Sequence, residues 1–170
     1  MKKQKQGFTI METVVYVSVL AIIIGAVISL LVWTVKIQKK TKAIQEVTDN
    51  ARVAMRIVSQ EIKEAKDIYL PTSVLNSDLG QLSLETGKYL DLGETSSFLD
   101  FYICEEALCF KKEGENSMAL TSDKIKVNKL KFIEVITNNR KSVEIELSLE
   151  SKNDNQASIE LISAASLRNY

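Results

Sequence analysis

Gly7-Phe8-Thr9-Ile10-Met11-Glu12 introduces the stretch TVVYVSVLAIIIGAVISLLVWTV over residues 13–35. The 22 residues from Val14 to Val35 hold no charge, and their only polar interruptions are hydroxyls. At a rise of ~1.5 Å per residue, a helix of that length reaches about 33 Å, enough for a hydrocarbon core of ~30 Å. A cleaved secretory signal would have an apolar region of only about 7–15 residues, followed by a small-x-small site. This run is longer, and it closes on Leu30-Leu31-Val32-Trp33. It reads as a membrane helix.

Glu12 is the unusual member of the segment. A carboxylate in an apolar helix costs roughly 2.5–3.5 kcal/mol at the membrane centre and less near its edge, so such groups usually have a partner. A cut between Gly7 and Phe8 would create an α-amine about 6 Å along the helix axis from Glu12. Between staggered subunits, that carboxylate could pair with the amine of a neighbour.

The lysine-rich start, Gly7, Phe8, Thr9, Glu12 and the apolar helix together resemble the class III signal of type IV prepilins and pseudopilins. The resemblance implies a leader, residues 1–7, removed by a prepilin peptidase that cuts between Gly7 and Phe8. It also implies N-methylation of Phe8 and an assembly contact through Glu12. The implied partners are that peptidase, the membrane, other pilin or pseudopilin subunits along the helix, and an inner-membrane assembly platform. The implied location is the cytoplasmic membrane, crossed once with the head outside, and then a cell-surface or periplasmic filament. Charge does not by itself fix this orientation. Lys2, Lys3 and Lys5 precede the helix, whereas Lys36, Lys39, Lys40 and Lys42 follow it, which counts slightly the other way.

Beyond Lys36 the pattern becomes amphipathic. Ile44, Val47, Ala51, Ala54, Val58, Ile62, Ala65 and Tyr69 recur at spacings of three or four, the signature of one helical face. No Gly or Pro intervenes before Pro71, which disfavours helix at Leu70. The expectation is one helix with a transmembrane half over 8–35 and an amphipathic half over 36–70. Arg52 to Ile68 also resembles the second half-helix of PilW-type minor pilins and J-type pseudopilins. Major pilins often carry a proline in the anchor. Here there is none, and only Gly25 could loosen it.

Residues 71–170 read as a β-rich head. Val143, Ile145, Leu147 and Leu149 alternate with Glu144, Glu146, Ser148 and Glu150, a strand with one face buried. Leu130 to Thr137 predicts a second strand, joined to it through Asn138-Asn139, and Ala157 to Ala164 a third. Phe98 to Cys104 and Leu108 to Lys112 predict a hairpin, and 71–80 a loop. The expected class is α+β: a pilin-like long helix packed on an antiparallel sheet.

Four residues separate Cys104 from Cys109. With a two-residue turn at Glu106-Ala107 they would face each other directly, with Cα atoms about 4.5 Å apart, close enough for a disulfide. Free thiols and a redox pair stay open at this spacing, although a redox motif usually separates its cysteines by two residues. Asn153-Asp154-Asn155 reads as a polar turn, with a calcium loop as the alternative. The ending Ser166-Leu167-Arg168-Asn169 resembles the last strand of PilW-like minor pilins.

Composition argues against catalysis. The chain has no histidine and only two cysteines, which removes the commonest general base and the usual zinc ligands. Neither a phosphate-binding glycine loop nor a nucleophile elbow is present. No enzymatic activity, metal or cofactor is expected. The 22 basic and 22 acidic residues balance; without Lys2, Lys3 and Lys5 the charge is −3. Direct nucleic-acid binding is not expected from that balance. The resemblance to prepilins implies a structural subunit of a type IV pilus or a type II secretion-like filament, at or near the tip and aiding assembly initiation. A pilin-anchored binding module, an adhesin or a DNA-uptake component, is the alternative.

Overall fold

The computed structural model describes residues 9–90, 93–137 and 140–168. One helix, α1, spans Ile10–Glu64. Among the described residues, eight strands follow: β1 (Asp67–Ile68), β2 (Leu82–Thr86), β3 (Ser97–Cys104), β4 (Ala107–Lys112), β5 (Met118–Ala119), β6 (Ile125–Thr137), β7 (Arg140–Ser151) and β8 (Asp154–Ser166). They form a five-stranded sheet in the order β1-β2-β3-β4-β5 and a three-stranded sheet in the order β6-β7-β8. Every pairing within the two sheets is antiparallel. The chain divides into two compact units, with the boundary between Thr41 and Lys42.

The first unit is the apolar part of α1. From Val14 to Val35 every side chain is exposed within this chain. It is long and apolar enough to cross a membrane. Its hydroxyls return to the backbone one turn earlier: Ser18 Oγ donates to Val14 O at 2.8 Å, Ser29 Oγ to Gly25 O at 2.9 Å, and Thr34 Oγ1 to Leu30 O at 2.8 Å. Satisfied in this way, they add no open polar group to an apolar helix.

The second unit begins with the rest of α1. Its buried face is Val47, Ala51, Ala54, Met55, Val58 and Ile62, close to the expected stripe. These residues share one hydrophobic core with Leu84, Leu99 and Phe101 of the five-stranded sheet and with Leu130, Phe132, Ile145 and Leu147 of the three-stranded sheet. Small alanines on the helix let it approach the sheets, while phenylalanine and leucine fill the space from the strand side. Asn50 Oδ1 adds a polar tie by accepting the Ser122 N–H at 2.9 Å.

Three expectations need correction. The helix does not reach residue 70. Ala65 N–H turns back to Ile62 O at 3.3 Å, and Lys66 N–H bonds to Glu85 O at 2.7 Å. The chain passes directly from α1 into β1, where Asp67 and Ile68 pair with Glu85 and Leu84. Tyr69 continued the helical spacing only by coincidence; its N–H bonds to Ser83 O at 2.8 Å, and its ring lies 4.6 Å from that of Phe98. Second, Ile44 is exposed rather than part of the buried stripe. Third, there are two sheets rather than one.

The expected strands are present with wider bounds, and β7 alternates as read, burying Val143, Ile145, Leu147 and Leu149. Strand β2 was not anticipated, and the loop over 71–80 does more than connect. Asn76 N–H bonds to Phe132 O at 2.8 Å, Gly80 N–H to Leu130 O at 2.7 Å, and Leu130 N–H to Asp78 O at 2.8 Å. That loop runs along the outer edge of β6 and satisfies backbone groups an open strand would leave unpaired.

Candidate functional site

Residues Gly7 and Phe8, the expected cleavage and methylation positions, lie outside the described residues, as do Asn138-Asn139 and Asn169-Tyr170. The helix start that follows Phe8 is well defined. Thr9 Oγ1 accepts the N–H of Glu12 at 3.3 Å, and Thr9 O accepts the N–H of Thr13 at 3.1 Å. Thr9 is thus the N-cap, and Glu12 occupies the third helical position, the spacing of a capping box. Unpaired N–H groups concentrate partial positive charge at this end, so a carboxylate in the first turn is favoured.

Glu12 also has a partner in its own chain. Tyr16 Oη donates to Glu12 Oε1 at 3.4 Å, one turn along. The carboxylate is therefore less anomalous than its apolar neighbourhood suggests: capping position, helix dipole and a phenol all favour it. The capping role of Thr9 and the Tyr16 contact are what the sequence reading lacks. The Thr-x-x-Glu spacing and the four-residue step from Glu12 to Tyr16 were the available signals. Glu12 is exposed, so its second oxygen stays accessible to an amine from another chain. An added Cβ at Gly25 meets nothing within 4 Å, so no packing among the described residues requires glycine there.

The two cysteines form a disulfide, with Cα atoms 5.8 Å apart. Its register differs from the expected one. Cys104 pairs with Ala107 and Tyr102 with Cys109, so the turn is Glu105-Glu106 and the cysteines bond diagonally on one face of the hairpin. Both turn residues have positive φ, 47° and 67°. A two-residue hairpin needs this left-handed geometry to match strand twist, but glutamate is a poor occupant. Each such non-glycine residue costs of order 1–2 kcal/mol.

No family model, curated protein or solved structure matches this chain.

In the remainder of the head, the Asn153-Asp154-Asn155 segment satisfies local backbone. Ser151 Oγ accepts the Asn153 N–H at 3.3 Å, and Asp154 Oδ1 accepts the Gln156 N–H at 3.0 Å. No group of three or more metal-ligating side chains occurs among the described residues. Arg168 lines a shallow groove beside Lys63 and Glu64. Its neighbour Leu167 is buried and its N–H bonds to Lys141 O at 3.0 Å.

Two adjoining open grooves lie at the far side of β3 and β4. One is lined by Tyr89, Leu90, Glu94 and Ser97, the other by Tyr69, Thr72, Phe98 and Asp100, and both include Lys112, Glu113 and Gly114. Lys112 Nζ sits 4.2 Å from the centre of the Tyr89 ring, a cation–π distance. Burial raises the Tyr89 phenol above its ordinary pKa, and the nearby Glu61 carboxylate adds to the effect. Its hydroxyl donates to Glu61 Oε1 at 3.4 Å.

Proposed function

We propose that this protein is a minor pilin or pseudopilin, a structural subunit of a type IV pilus or type II secretion-like filament. It acts at or near the filament tip and helps to initiate assembly. The observation that carries this reading is the joining of a cleavage-type motif, Gly7-Phe8, to a capped apolar helix with one accessible carboxylate at Glu12. A plain membrane anchor requires the apolar run but not that carboxylate.

In this reading the peptidase removes residues 1–7, and the new α-amine of Phe8 is methylated. The apolar half of α1 holds the subunit in the membrane until assembly and then packs among neighbouring helices. Glu12 pairs with the Phe8 amine of an adjacent subunit during insertion. Support comes from its exposed position and from the unbroken run of apolar side chains that no other described residue covers. Glu12→Ala tests the contact. The variant is expected to be cleaved normally and to be lost from the assembled filament, whereas normal incorporation would remove the pairing role.

The paired grooves at Tyr69, Phe98 and Tyr89 favour a second reading, in which the head binds a ligand. Aromatic faces beside Lys111 and Lys112, edged by Asp100, Glu94, Glu113 and Glu115, suit a ring-bearing ligand without large net charge. Tyr89→Ala and Phe98→Ala should then abolish adhesion while leaving assembly intact.

A further inference from the structure

We infer that the Cys104–Cys109 bond is a redox-sensitive latch: it holds the Glu105-Glu106 turn in its left-handed conformation and thereby clips the β3–β4 hairpin to β6. The proposal does not depend on the filament reading.

The turn is placed where its conformation matters outside the hairpin. Glu106 O accepts the Val127 N–H at 2.8 Å, so a backbone group of the turn caps the edge of β6. The Glu106 carboxylate reaches Lys152 Nζ at 3.3 Å and Lys126 Nζ at 3.6 Å. One residue of the five-stranded sheet's hairpin tip thus touches β6 and the β7–β8 turn of the three-stranded sheet. These contacts are made with Glu106 at its observed φ of 67°.

The local sequence does not supply that conformation. Asn-Gly and Asp-Gly are the usual residues for such a turn, whereas this chain has two glutamates. Their like charges also oppose close approach, although Lys126 and Lys152 neutralise one of them. The remaining constraint is covalent. A bond between Cys104 and Cys109 closes a short loop around the turn and limits the other conformations it could take. Cys109 is buried while Cys104 is partly exposed, so a reductant meets Cys104 first.

Opening the latch is a two-electron exchange with an external dithiol. One reductant thiolate attacks the Cys104 sulfur, the disulfide breaks, and Cys109 leaves as a thiolate that takes up a proton. The second reductant thiol, as thiolate, then displaces Cys104, which is protonated in turn. The reductant ends as a disulfide and the protein as two thiols. The turn is then free to relax, and Val127 loses its acceptor.

Amide hydrogen exchange on the full chain in detergent micelles, with and without dithiothreitol, tests the latch. Reduction should speed exchange at Val127 by about tenfold or more while Ile145 and Leu147 in β7 stay protected. Unchanged protection at Val127 would overturn the proposal, and so would loss of protection throughout β7, which would mean global rather than local opening. A second chain carrying Glu105→Asn and Glu106→Gly separates turn geometry from other effects of the bond. Its turn favours the left-handed form without help, so reduction should leave Val127 protected. If reduction exposes Val127 in that variant as well, the bond does not act through the turn.

Discussion

Lys141 Nζ lies 2.6 Å from Asp67 Oδ1 and 2.8 Å from Oδ2, joining β7 of one sheet to β1 of the other. Asp67 Oδ1 also accepts the Ile68 N–H at 2.7 Å. The Lys141 hydrogen bond is the largest influence on Asp67 and holds its carboxyl below the usual 3.8, against the opposing effect of partial burial. The folded state therefore binds this proton less readily than the unfolded chain. The resulting stability is present above about pH 3.8 and is lost as the pH falls through the depressed folded value. Carboxyl titration by NMR should place Asp67 below 3.8 in the native protein and move it upward in Lys141→Met. Because both side chains are partly solvated, the stability difference at pH 7 should stay at or below about 1 kcal/mol.

Gly80 occupies the crowded crossing between the 71–80 loop and β6. An added Cβ would lie 2.9 Å from Leu130 O, 3.1 Å from Val74 O and 3.2 Å from Ser77 O, all of them backbone atoms. Gly80→Ala should destabilise the head by roughly 1–3 kcal/mol, because the loop must move off β6 and release the Leu130 hydrogen bonds. Gly25→Ala is the control, since nothing lies within 4 Å of its added carbon. Denaturation followed by tryptophan-independent far-UV circular dichroism should separate the two: an earlier transition for Gly80→Ala, and an unchanged or later one for Gly25→Ala.

Ala51 and Ala54 are fully buried where α1 meets the sheets. Ala54→Leu would drive three extra carbons into a filled interior and should cost about 1–3 kcal/mol. Leucine placed at an exposed site of the helix, Arg52→Leu, should leave head stability within about 0.5 kcal/mol. Equal effects at both positions would mean that the helical face is not seated as described.

The parts of this fold that could be read in advance are those where one period dominates. The stripe from Val47 to Ile62 and the alternation from Val143 to Leu149 each repeat one spacing long enough to exclude the other. Reading failed where a longer-range contact decided the outcome. Ala65 and Tyr69 extend the helical spacing, yet the hydrogen bonds of Lys66 and Tyr69 to β2 pull the chain into the sheet. Leu82 and Leu84 alternate over too few residues to announce β2. The expected hairpin turn lies one residue too late, which shifts each cross-strand partner by two, because Glu105-Glu106 carries no turn signal of its own; the disulfide and the Val127 contact support a turn its local sequence disfavours. At the N-terminus, the interest of Glu12 was visible from its apolar surroundings. The Thr9 cap and the Tyr16 hydroxyl were not drawn out, although both follow from spacing alone.

The junction between Gly7 and Phe8 separates a filament subunit from a plain membrane anchor. Co-expression of the full chain with an active prepilin peptidase, followed by intact-mass and N-terminal analysis, addresses it directly. The expected product is a chain shortened by residues 1–7 that begins with N-methylated Phe8. A full-length chain, recovered from cells in which the same peptidase processes a control prepilin, would rule out the filament-subunit reading.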